Sequence, residues 1–210
     1  MLLAKLITTS VDRDAVLWKE MKGGNEFAFR EIFDNYSNLL FQYGTTISKD
    51  RELVKDCIQE LFITIWANRS SIGIARSIRY YLLFSLRRLL LKKIRAGRNF
   101  SSITAFTNLD LTVEVDVDTI VRKETHIHNT LLISSAVDAL PERQKEIIFL
   151  KFYQELKYEE IEKIMNLNNQ VVRNTLYKAL NSLRRQLGKK SVISQLLSIS
   201  ITFVYYVSGI

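Results

Sequence analysis

One proline and seven glycines in 210 residues leave little that can interrupt a helix, because these two residues are the strongest local breakers of regular structure. Apolar residues recur three and four apart along nearly the whole chain, which is the period of a helix with one buried face. Four helices follow in the first half. Asp14 to Gly23 is short and stops at Gly23-Gly24, where a glycine accepts the left-handed conformation of a C-cap. Glu26 to Ser48 carries Phe29, Ile32, Phe33, Tyr36, Leu39, Leu40 and Tyr43 on one stripe, and Lys49 to Ala67 repeats the pattern with Leu53, Cys57, Ile58, Leu61, Phe62, Ile65 and Trp66. Ser77 to Ala96 is the fourth. The fold class is all-α, and with 47% hydrophobic residues the helices have cores to bury.

Charge divides the chain. The net charge is +8, which favours an anionic partner, nucleic acid or a membrane surface. Between Leu61 and Leu109 there is no acidic residue, while Arg69, Arg76, Arg79, Arg87, Arg88, Lys92, Lys93, Arg95 and Arg98 accumulate. From Lys163 to the C-terminus acids are again absent. Between these basic stretches the helical period fails, Ser and Thr rise, and Asp110, Glu114, Asp116 and Asp118 give the segment the composition of a linker. The expected layout is a helical domain at 14–98, a flexible linker at 99–128, a second helical domain at 129–188, and a hydrophobic tail at 189–210.

The second domain reads as a helix-turn-helix. Pro141 suits a helix start, where its missing N–H costs nothing, and Glu142 complements the helix dipole. One helix runs from Glu142 to Tyr153 and a short one from Tyr158 to Met165. Asn166-Leu167-Asn168 forms the turn, with Asn166 able to take the left-handed conformation, Leu167 plugging the core and Asn168 placed to N-cap the next helix. Asn168 to Leu187 then has Val172, Leu176, Leu180 and Leu183 inward. Asn169, Gln170, Arg173, Asn174 and Tyr177 face outward near its start, with Lys178 beside them, at the positions from which such helices reach base edges. Asn and Gln suit adenine, and Arg suits guanine or phosphate. Taken alone, these residues describe a stand-alone helix-turn-helix regulator equally well.

The first domain distinguishes the readings by resemblance. The segments LWKEMKGGNEFAFREIFDNYSNLLFQYG, DRELVKDCIQELFITIWAN and SIRYYLLFSLRRLLL resemble the promoter-melting domain of extracytoplasmic-function sigma factors, initiation factors of bacterial RNA polymerase. LPERQKEIIFLKFYQELKYEEIEKIM is similar to their C-terminal domain, in the right order and spacing. The resemblance implies that Asp56, Gln59, Glu60 and Phe62 dock on core RNA polymerase. It implies that Arg79, Tyr80, Arg87, Arg88 and Lys92 meet the −10 region of promoter DNA; Tyr80 and Tyr81 can each stack on bases or pack in the core, and for Tyr81 packing is the favoured place. It implies that Asn169 to Lys178 read the −35 region, and that an anti-sigma factor is a further partner. Three positions depart from the family pattern: Arg88 stands where Asn is usual, and Glu162 and Asn166 stand where a small residue and Gly are usual. Glu162 must therefore point outward or distort the packing of its helix.

No enzyme site and no cofactor emerge. His126 and His128 fall on different faces of a helix, which disfavours a shared metal. Cys57 lies among core or docking positions with no flanking base, and as the single cysteine it permits no intrachain disulfide, in keeping with a reducing, cytoplasmic setting. The tail from Val192 to Ile210 has no charged residue but several serines, marginal for a spanning helix. A basic tail-anchored membrane-surface protein is the remaining alternative, with docking of the tail on protein favoured over insertion.

Overall fold

The structure is a computed structural model and describes residues 13–73, 77–100 and 135–187. All regular structure among these residues is helical. Both histidines, the tail and the expected linker beyond its first two residues lie outside the described residues; Asn99 and Phe100, expected to open the linker, are helical. The chain divides into two units, with the main boundary at Gly97 and Arg98 and the short stretch Lys163–Met165 grouped with the first.

The first unit begins with helix α1, residues 13–22. It ends where Gly24 adopts φ +92°, a conformation that costs glycine little. Asn25 then caps α2, Glu26–Ile47, its side-chain oxygen accepting from the backbone N–H of Phe27 and Ala28. Two contacts tie α1 to α2: the Tyr36 hydroxyl donates to Asp14, and Arg13 pairs with Glu31. Helix α3, Arg51–Ala67, is capped by Asp50, which accepts from Leu53 N. It lies against α2, and at the crossing Gly44 is buried with the space for its missing Cβ filled by Val54. Helix α4, Ile78–Phe100, buries Ile78, Leu82, Leu83, Leu86 and Leu90. This spacing of three and four is the apolar stripe read from the sequence. Trp18, 1% exposed, donates from its indole nitrogen to Gly73 O at 3.0 Å and so ties α1 to the turn that follows α3.

The second unit, among the described residues, starts with helical residues 135–138, α5. Pro141 sits at the N-cap of α6, Glu142–Ile148. The helix expected to continue to Tyr153 does not do so in α-form: from Phe149 to Tyr153 it winds as a π-helix, with Gln154 N bonded to Phe149 O at 3.0 Å. Ile147, Ile148, Phe149 and Leu150 are all buried. Four consecutive residues span roughly 300° of an α-helix, so this turn has no solvent side, and the wider winding accompanies that burial. Glu155 follows at φ 53°, a left-handed turn that no glycine or asparagine announces.

Helix α7, Tyr158–Met165, carries the reach-back half of a capping box, Glu160 accepting from Lys157 N at 2.8 Å. It stops at Asn166, φ 53° and ψ 53°, as the turn chemistry requires. Leu167 is half-buried rather than a full core plug. Asn168 caps α8, Asn169–Leu187, by accepting from Val171 N at 2.9 Å. Val172, Leu176, Ala179 and Leu183 of α8 are buried, and the helix lies against α6.

Candidate polymerase and nucleic-acid interfaces

Helix α3 has an acidic outer face. Asp56, Gln59 and Glu60 are exposed, and Asp56 and Glu60 stand one turn apart, so their carboxylates share one side. Glu60 reaches Lys93 of α4 at 2.6 Å. That hydrogen bond raises the Lys93 pKa above its ordinary value. Phe62 takes a different place from the one expected of a docking residue. It is 3% exposed, with its ring edge-on to Phe29 at 6.0 Å and Phe33 at 4.9 Å. A side chain so enclosed supports the face from beneath and offers little contact surface of its own. Cys57 is fully buried; burial pushes its thiol pKa up, the opposite of what a reactive thiolate needs.

Helix α4 presents an aromatic and cationic column. Tyr80 stacks on Phe84, centroids 6.1 Å apart and 16° between planes, and the Arg88 guanidinium lies over the same Phe84 ring at 5.6 Å. The three are successive i, i+4 neighbours. Arg79 and Lys92 are exposed, while Arg87 is half-buried. Tyr81 packs edge-on against Trp18 at 5.1 Å, the core role expected for it. Phe84, the middle of the column, was absent from the sequence reading, although its spacing from Tyr80 and Arg88 is the signal that could have found it.

The start of α8 gathers the third set. Gln170, Arg173, Asn174, Tyr177 and Lys178 are all exposed, Tyr177 at 67%. Asn169 is not among them: it is half-buried and engaged on both sides of its amide. Its Nδ2 donates to Glu162 of α7, and its Oδ1 accepts from Arg173 Nε at 2.6 Å. Glu162 thus resolves the choice posed for it by turning towards α8, with no distortion of α7. The Arg173 guanidinium also lies 4.7 Å from the centre of the Tyr158 ring, and Lys151 lies 4.6 Å from that ring. Tyr158 and Lys151 were not singled out from the sequence, because the groups that meet at the Tyr158 ring come from separate elements.

Known proteins give this arrangement a family. Residues 32–100 match the model described as Sigma-70 region 2, and residues 130–183 match the one described as Sigma-70, region 4. The two matches come in order and together cover more than half of the chain. The chain belongs to the sigma-70 family. Similar curated proteins are extracytoplasmic-function RNA polymerase sigma factors. SigW of Bacillus subtilis (strain 168) is 25% identical over 179 residues, spanning 80% of this chain and 94% of SigW. SigK of Mycobacterium bovis (strain BCG / Pasteur 1173P2) is 24% identical over 179 residues, spanning 83% and 93%. Among solved structures, the sigma factor RpoE in complex with the anti-sigma factor NepR from Bartonella quintana superposes with a TM-score of 0.57 at 18% identity, over 76% of this chain and 96% of that one. That likeness shows the fold. As a sigma-70 family member, the protein directs RNA polymerase to promoters. Both matched regions are needed for that assignment, which sets aside a stand-alone helix-turn-helix regulator. Among the described residues no helix is long and apolar enough to cross a membrane.

Proposed function

We propose that this sigma factor divides its work between the two domains, residues 14–98 and 129–188. The outer face of α3, with Asp56, Gln59 and Glu60, holds core RNA polymerase, its carboxylates offered to a basic partner and Phe62 stiffening the face below. The α4 column engages the −10 region: Tyr80 and Phe84 supply aromatic surface on which unpaired bases stack, and Arg79, Arg87, Arg88 and Lys92 supply cations for phosphates. Trapping bases in this way offsets a few kcal/mol of unstacking. The start of α8 reads the −35 region with Gln170, Arg173, Asn174, Tyr177 and Lys178. The observation that carries this reading is the exposure of those five side chains together at the start of a capped helix whose opposite stripe is buried.

Catalysis belongs to the polymerase, and the protein works in the cytoplasm where polymerase and promoters are. An anti-sigma protein is a further partner, consistent with the complex in which RpoE was solved. Co-purification of core polymerase with the full chain and promoter-dependent run-off transcription are the expected results; loss of both would overturn the reading. Arg173→Ala and Asn174→Ala should weaken binding to promoter DNA much more than to scrambled duplex. Equal losses on the two DNAs would show that these side chains contact only phosphate.

A further inference from the structure

Glu162 is the last acidic side chain of the chain, and it stands beside the helix proposed to enter DNA. A carboxylate there opposes phosphate binding, so its placement calls for a reason. The geometry gives one. Glu162 accepts from Asn169 Nδ2, and Asn169 Oδ1 accepts from Arg173 Nε at 2.6 Å. A carboxylate can only accept and a guanidinium can only donate. The amide between them therefore has a single satisfied orientation, and reversing it would break both bonds. Arg173 is held from a second side by the Tyr158 ring at 4.7 Å. With Nε committed, the guanidinium meets an outside acceptor through its two terminal nitrogens, the pair that engages guanine in a bidentate contact.

We propose that Glu162 is a positioning residue for base recognition: acting through Asn169, it fixes the orientation of Arg173, so that Asn169 is a relay and Arg173 is the reader. This rests on the assignment of α8 to DNA. It also sets Asn169 apart from the base readers, because the side chain is half-buried and one donor and one acceptor of its amide are already engaged within the protein. The carboxylate lowers general affinity for DNA and in return sharpens discrimination.

The test uses the full chain assembled with core polymerase, presented with duplexes randomised across the −35 region and sequenced after selection. The wild type should show a preference at one position that Arg173→Ala abolishes. Glu162→Ala should reduce the preference at that same position by about tenfold, the scale of one well-oriented bidentate contact, while raising retention of scrambled duplex. Asn169→Ala should reproduce the loss of preference with Glu162 intact. Glu162→Gln keeps an acceptor for Asn169 and should restore most of the preference. If Glu162→Ala or Asn169→Ala leaves the selected sequence as sharp as the wild type, the proposal is overturned and the α8 reading stands. If Arg173→Ala leaves the wild-type preference unchanged, the α8 reading itself has failed.

Discussion

Gly44 shows how much one missing atom decides. A Cβ at this position would lie 2.4 Å from Val54 Cγ1, and Val54 is fully buried and β-branched, so it has little room to turn away. Gly44→Ala should destabilise the first unit by about 1–3 kcal/mol through overpacking, even though alanine is the better helix former. Val54→Ala in the same chain should recover part of that loss; chemical denaturation of the single and double variants measures the coupling. Two other residues set an alkaline limit. Burial raises the Cys57 thiol pKa, and burial, then the nearby Asp138, pushes Tyr153 up to about 12. Both groups hold their protons more tightly folded than unfolded. Their contributions are therefore complete below the unfolded values, about 8.5 for Cys and 10 for Tyr, and fall away as pH rises beyond them. Denaturation midpoints should decline from about pH 8.5 upward, and Cys57 should resist alkylation in the native state at pH 8. Rapid alkylation there would contradict its enclosed position.

Among the elements, the turn between α7 and α8 matters most to the proposed reader, because it sets the angle at which α8 leaves. Asn166 holds φ 53°, where glycine fits more cheaply than any residue with a Cβ, so Asn166→Gly should be neutral or stabilising by up to about 1 kcal/mol. Asn168→Ala removes the cap on Val171 N and should cost about 1 kcal/mol. Thermal melts of the second unit check both, and a large loss from Asn166→Gly would mean that its side chain has a role beyond the turn. These features were legible because caps and turns are local: the residues that make the hydrogen bonds sit within three or four positions of each other. The π-helix at Phe149–Tyr153 was not. Its apolar run is compatible with α-helix, and the wider winding accompanies the burial of Ile147 to Leu150, which the run itself does not declare. The Glu155 turn escaped as well, because nothing in a glutamate favours φ 53°.

For the whole molecule, the proposed interfaces are chemically distinct and should fail separately. Asp56→Lys with Glu60→Lys reverses the α3 face; it should abolish co-purification with core polymerase while binding of the free chain to DNA is retained or increased. Arg173→Ala should do the converse, leaving the polymerase complex intact and weakening run-off from the promoter. Loss of both functions in either variant would indicate that the two units do not act as separable modules.

The amino-acid sequence by itself determined the helical class, the order of the helices, the turn before α8 and the two basic stretches, because each follows from spacing or from neighbours a few residues apart. It also placed the family, since two motifs in fixed order carry more information than either alone. Tertiary structure decided which side chains are available. Phe62, which the sequence offered to a partner, went into the core beneath the rings of Phe29 and Phe33. Asn169, counted with the base readers, became the link between Glu162 of α7 and Arg173 of α8. Tyr158 became the support for Arg173, and Phe84 became the centre of the α4 column. Helical periodicity gives the face on which a residue lies, but not what another element brings to that face. The difference between a reader and its support lies in that second element.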